Sequence, residues 1–124
     1  MISYLAVDAV HEVYSVEESV YLKYKSKPYK DDVFITSHYG NPTSGLIMSD
    51  SQKVIVAGCG LSIYDIEQNR ETHLFAEPND ILWTNGLHQD EFDDEHEFRF
   101  VAMNATNQWR VFKMNVATSF IEEL

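Results

Sequence analysis

Short runs in which apolar and polar residues alternate, broken by turn formers at spacings of about 8 to 12 residues, leave this chain few alternatives to antiparallel β-sheet. Val20, Leu22 and Tyr24 alternate with Ser19, Tyr21, Lys23 and Lys25, the period of a strand with one buried face. Similar runs follow at residues 33–36, 45–48, 54–57 and 61–64. Between them stand Gly40-Asn41-Pro42-Thr43, Ser49-Asp50-Ser51-Gln52, Glu67-Gln68-Asn69-Arg70 and Pro78-Asn79-Asp80, rich in residues that favour turns or positive φ. Asn85-Gly86 suits a two-residue type I′ turn, so residues 80–84 are expected to pair with the segment starting at Leu87. Phe98, Phe100 and Ala102 alternate with Glu97, Arg99 and Val101, and Asn104-Ala105-Thr106-Asn107 then turns the chain into residues 109–114, a second long hairpin. A helix over residues 10–20 would put Glu17 in its apolar stripe, so strands are expected on either side of Glu17-Glu18. Residues 119–124 form either one helical turn or a frayed end. About nine strands predict an all-β fold, a β-sandwich or twisted β-meander with little helix, as one globular domain over residues 1–124.

Charge narrows the partners. Twenty acids against nine Lys and Arg give a net charge of −11, which repels nucleic-acid phosphates and anionic membrane and speeds encounter with cationic proteins. Neither nucleic acid nor membrane is therefore an expected partner. Cys59 is the only cysteine, so an internal disulfide and a thiolate zinc cluster are both excluded, which fits a reducing cytoplasm. No basic start precedes an apolar stretch near the N-terminus, and no window approaches about 18 apolar residues, so neither an export signal nor a membrane span is expected. Lys23, Lys25, Lys27 and Lys30 cluster far in sequence from the acidic maximum, which predicts a dipolar molecule or, as plainly, a lysine-guarded strand edge.

That maximum is Asp90-Glu91-Phe92-Asp93-Asp94-Glu95-His96-Glu97, with six carboxylates in eight positions and no Lys or Arg. Each unpaired carboxylate costs several kcal/mol to bury, so the run is solvated, binds a cation or faces a basic partner. With His88 close by, residues 88–96 offer imidazole and carboxylate ligands for a metal module, but they lack both the spaced oxygens and glycine of a calcium loop and a His-Glu-x-x-His pair. No cofactor is expected. Paired carboxylates serve glycoside cleavage only when burial raises one pKa, and this stretch is polar throughout. Cys59 between Gly58 and Gly60 reads as a buried residue in a tight turn rather than a nucleophile served by His73 or His88. Gly-x-Ser-x-Gly and the phosphate-cradling glycine loops are absent, so no enzyme is expected. His96, flanked by Glu95 and Glu97, is expected to make partner binding vary between about pH 6 and 8. Phe98, Phe100 and Phe112 read as core. Trp83 and Phe92 are the candidate apolar anchors, with core packing the competing fate of Trp83.

Residues 54–67 resemble the paired middle strands of a β-propeller blade, in which a Gly turn leads into an apolar strand ending in Asp. Blades run about 40 to 50 residues and closed rings usually need four or more, so at most three would fit; the likeness supports meandering sheet, not a closed propeller. In size, charge and its acidic run, the chain resembles the small acidic bacterial immunity proteins of contact-dependent inhibition and related polymorphic toxin systems. The resemblance implies a cytosolic inhibitor that occludes the active site of a basic toxin domain, typically a nuclease, by imitating the charge of its substrate. Asp90, Glu91, Asp93, Asp94 and Glu95 would make the contact, with Trp83 or Phe92 as anchor. The competing readings are an adaptor that binds another host protein through a sheet edge, and a metal-dependent enzyme or module built on residues 88–96.

Overall fold

A computed structural model describes residues 2–50, 52–75, 82–104 and 106–124. Among these residues lie twelve strands in three four-stranded antiparallel sheets. The first sheet contains β1 (Ile2–Val7), β2 (His11–Val16), β3 (Ser19–Tyr24) and β4 (Val33–Ser37), and the second β5 (Ser44–Ile47), β6 (Lys53–Gly58), β7 (Gly60–Asp65) and β8 (Arg70–Leu74). The third contains β9 (Thr84–His88), β10 (Glu97–Met103), β11 (Trp109–Asn115) and β12 (Ile121–Glu123). Each strand pairs with its neighbour in sequence, so every sheet is a meander. The all-β expectation holds. The strands beyond the expected nine, β1, β8 and β12, sit at sheet edges, where too little is buried on one face to print a clear period.

The three sheets stack with the second in the middle. Val13, Val20, Leu22 and Ile35 of the first sheet pack on Val54, Val56 and Tyr64 of the second. The other face of the second sheet, with Ile55, Ala57 and Leu61, packs on Phe98, Phe100, Ala102 and Met114 of the third. Because successive side chains point to opposite faces, the unbroken run Val54-Ile55-Val56-Ala57 is what a strand with two buried faces requires. Phe112 is half-buried against the same core.

Close approach of the first two sheets depends on Gly45. A Cβ on Gly45 would stand 2.7 Å from Leu5 Cβ, an atom tethered to the β1 backbone and unable to rotate away. Gly45→Ala is therefore expected to destabilise by about 1–3 kcal/mol, in the range of overpacked cores, with Leu5→Ala giving no relief because it keeps the opposing atom. Urea unfolding of the two single variants and the double variant checks this.

The tip of the second sheet is tied to the third. Cys59 is the single residue joining the paired Gly58 and Gly60, is buried, and bridges to Trp83. The buried Thr84 hydroxyl donates to the Gly60 carbonyl at 2.7 Å and accepts from the Gly58 N–H at 3.1 Å. These bonds satisfy backbone groups that the tight turn leaves unpaired by the ladder.

Three expectations are corrected. Asn85-Gly86 is not a hairpin turn: both residues lie inside β9, and Thr84 pairs with Ala102 of β10, not with the segment from Leu87. Arg99 pairs with His88 and Val101 with Asn85, so β9 carries one extra residue, a bulge in which Gly86 takes φ 62°. The left-handed conformation that favours Asn-Gly in a type I′ turn serves a bulge equally well. Residues 80 and 81 of that expected hairpin, the turn at residues 78–80, Ser51 and Ala105 lie outside the described residues. Residues 121–123 are neither helical nor frayed but pair along β11, where Ile121 opposes Met114 and joins the core. The lysine cluster does not line a strand edge: Lys23 belongs to the inner strand β3, 4.0 Å from Asp32, while Lys25, Lys27 and Lys30 lie in the connection after it, Lys27 at 5.1 Å from the Tyr24 ring centre.

Other turns match. Glu17, at φ 53°, and Glu18 join β2 to β3, and β10 and β11 form the long hairpin expected at residues 97–114. No helix of the described residues is long and apolar enough to cross a membrane.

Candidate functional site

The acidic run forms the connection from β9 to β10, and much of its charge is committed within the loop. Asp93, its side chain 2 % exposed, is gripped by the Arg99 guanidinium, with Nε at 3.1 Å from Oδ2 and Nη2 at 3.0 Å from Oδ1. That grip, helped by the Asp90 N–H, holds the Asp93 carboxyl below the usual carboxylate range against the opposing effect of burial. Glu97 lies 3.6 Å from Lys113 and accepts the Asp94 N–H. Asp90 accepts the Phe92 N–H and Asp94 the His96 N–H, each closing a local turn. His96 faces Glu95 at 3.5 Å.

This arrangement divides the expected contact residues. Asp93 is spent on Arg99, and Asp90, partly buried, is spent on the loop backbone. Glu91, Asp94 and Glu95 are exposed, and Phe92 projects from among them with 87 % of its surface open. Trp83 is not with them. It is 48 % exposed at the opposite end of β9, packs near Gly40, and is separated from Asp90 by about 20 Å of extended chain. Neither core packing nor the acidic anchor role therefore describes Trp83 fully. Nothing in sequence spacing assigns Arg99 and Lys113 to the loop; the pairing register of β10 and β11, in which they face each other, brings both to its base.

The metal reading finds no cluster of three His, Cys, Asp or Glu side chains suited to an ion among the described residues. His88 is occupied by the Gly86 carbonyl at 3.0 Å. Among the described residues, no histidine bonds the buried Cys59 thiol.

A second polar cluster, unmarked by any motif, lies where the first two sheets meet. Ser62 Oγ is 2.9 Å from His38 Nε2 and 3.0 Å from Thr36 Oγ1; Thr36 in turn meets His73 Nε2 at 2.8 Å, and His73 meets Glu71 at 2.9 Å. The Ser62–His38 distance is that of a nucleophile and its base, but Ser62, Thr36 and His38 are all buried. The hydrogen-bonded series runs from Ser62, Thr36 and His38 inside the stack to His73 and Glu71 at its surface. His38 Nδ1 is buried with no hydrogen-bond partner among the described residues, the Cys59 backbone lying near enough to favour protonation without closing a bond.

Burial lowers the His38 pKa, the neighbouring His73 lowers it further, and Glu71 and the Cys59 backbone oppose them. The unfolded chain thus takes up a proton below about pH 6.5 that the folded chain refuses, and stability falls as pH drops through that value. His38→Gln, which keeps a hydrogen-bonding side chain and cannot titrate, is expected to lose less stability between about pH 7 and pH 5 than the parent. Urea midpoints across that range check this; equal slopes would exclude His38 as the source.

Compared with known proteins, the chain matches no protein-family model, and no curated protein matches it.

Proposed function

We propose that this chain is a non-catalytic binding protein that docks the loop at residues 90–97 on a basic protein surface and, more finely, an immunity protein that covers the active-site cleft of a basic toxin domain. One observation carries the reading: a loop held by its own turns and by Arg99 leaves Phe92 87 % exposed amid Glu91, Asp94 and Glu95. An aromatic anchor ringed by like charges fits a partner that offers an apolar notch among Lys and Arg. Bracing lowers the ordering cost of binding, since the loop is already turned before the partner arrives. The net charge of −11 adds long-range steering. A nuclease cleft, which must attract phosphates, is such a surface.

Coexpression with a cognate toxin tests the proposal. A stoichiometric complex that weakens as salt rises, together with protection of the cell, is the expected result. Binding that survives neutralisation of Glu91, Asp94 and Glu95 would transfer the function to a sheet edge, the adaptor reading.

A further inference from the structure

The outer faces of the first and third sheets carry apolar rows beside their charged pairs, Glu12 with Lys23 on the first and Arg99 with Lys113 on the third. On the outer face of the first sheet, Tyr4, Tyr14, Tyr21 and Phe34 form one row across all four strands, with ring centres 6.4, 5.4 and 5.8 Å apart in turn. On the outer face of the third, Val101, Val111 and Leu124 form a row across β10, β11 and the end of β12, beside Met103 and Trp109. Ile2, Tyr4, Phe34, Met103, Trp109 and Leu124 are all exposed. Stacked arrays with terminal faces of this kind need capping.

We infer that a second copy of this chain caps both faces at once, the first sheet of each copy packing on the third sheet of the other around a twofold axis. Inside one chain the same step already occurs twice. The second sheet packs on the first, with β5 against β1, and the third on the second, with β9 against β5 and β6. Among the described residues, no sheet covers the outer face of the first or the third. A third-on-first contact between copies continues the series, and twofold symmetry makes it occur twice, closing a ring of six sheets. Six lies within the four to eight blades at which radially stacked four-stranded sheets close. A foreign partner would have to cover two separate faces; one more copy matches both. A hollow of about 210 Å³ beside the aromatic row, bordered by Tyr4, Tyr14 and Tyr29 and by the charged Glu12, Lys23 and Asp32, gives a protruding aromatic side chain with a polar N–H, such as Trp109, a place to enter.

Light scattering on the purified chain should give twice its 14.3 kDa mass. Because each copy carries a net charge of −11, salt should strengthen this self-association, opposite to its effect on a basic partner. Phe34→Lys and Trp109→Lys, at exposed positions, should each yield a folded monomer, judged by an unchanged circular dichroism spectrum. An equal mixture of the two should recover dimer, since one face pair in the mixed species is intact. A monomeric parent chain, an assembly that grows without limit, a dimer that survives either substitution, or a mixture that stays monomeric overturns the inference. Failure here leaves the acidic-loop reading standing: Phe34→Lys and Trp109→Lys are read by mass and the loop by partner binding.

Discussion

Phe98→Ala is expected to cost about 3–5 kcal/mol of unfolding free energy, the range for emptying a fully buried aromatic site. A domain of ordinary stability has only about 5–15 kcal/mol in total, so the variant should be marginal at physiological temperature. The effect should be this large because Phe98 has no exposed surface and lies where the second and third sheets meet, 6.0 Å from the Phe100 ring and alongside Met114 of β11, with which it pairs. Two close-packed sheets cannot both shift to fill a single vacancy, so the cavity remains and its lining loses contacts. Phe112→Ala is the internal control. Its ring stacks on Phe100 at 5.6 Å but is only half-buried, and the cost should be smaller. Denaturant titration of the two variants reads the difference, and equal losses would contradict the assignment of the core.

Reversing the charge of Glu91, Asp94 and Glu95 together should abolish binding to a basic partner and leave the fold intact. Close ion pairs at interfaces couple by about 1.5–7 kcal/mol, so three attractive contacts turned repulsive remove a large share of the roughly 12 kcal/mol that holds a nanomolar complex. All three side chains are exposed, and the ion pairs that brace the loop, Asp93 with Arg99 and Glu97 with Lys113, are untouched; of the loop's own turns, the change removes only the Asp94 acceptor of the His96 N–H, which water replaces at that exposed site. Asp93→Asn should behave differently: it removes the charge that holds the Arg99 guanidinium and leaves a single amide oxygen for both Arg99 and the Asp90 N–H, so the loop loosens without losing its outer charge. Calorimetric titration against the partner distinguishes the two. Loss of affinity in the triple variant with an unchanged melting temperature is the expected pattern, and a lowered melting temperature without loss of affinity would place the contact elsewhere.

Much of the strand pattern was legible because it is local. Period two in β3 and β10, the Glu17-Glu18 break and the Gly-Cys-Gly turn are each written in neighbouring residues, and a meander connects only neighbouring strands. Asn85-Gly86 was misleading because a positive φ says that the backbone bends without saying whether a turn or a bulge uses it. β12 was missed because three residues are too few to show a period, and its pairing with β11 depends on Ile121 finding the core.

The amino-acid order alone was enough to establish sheet over helix, the excess of negative charge and its concentration at residues 90–97, since each follows from composition and short-range spacing. Which of those carboxylates still faces solvent was settled only by folding. Arg99 and Lys113 reach the loop through antiparallel pairing of two strands, a relation between residues 14 positions apart along the chain and directly opposite in space. The His38–Ser62–Thr36–His73 chain and the two apolar end faces arise the same way, from which face of which sheet each residue occupies once the three meanders are stacked.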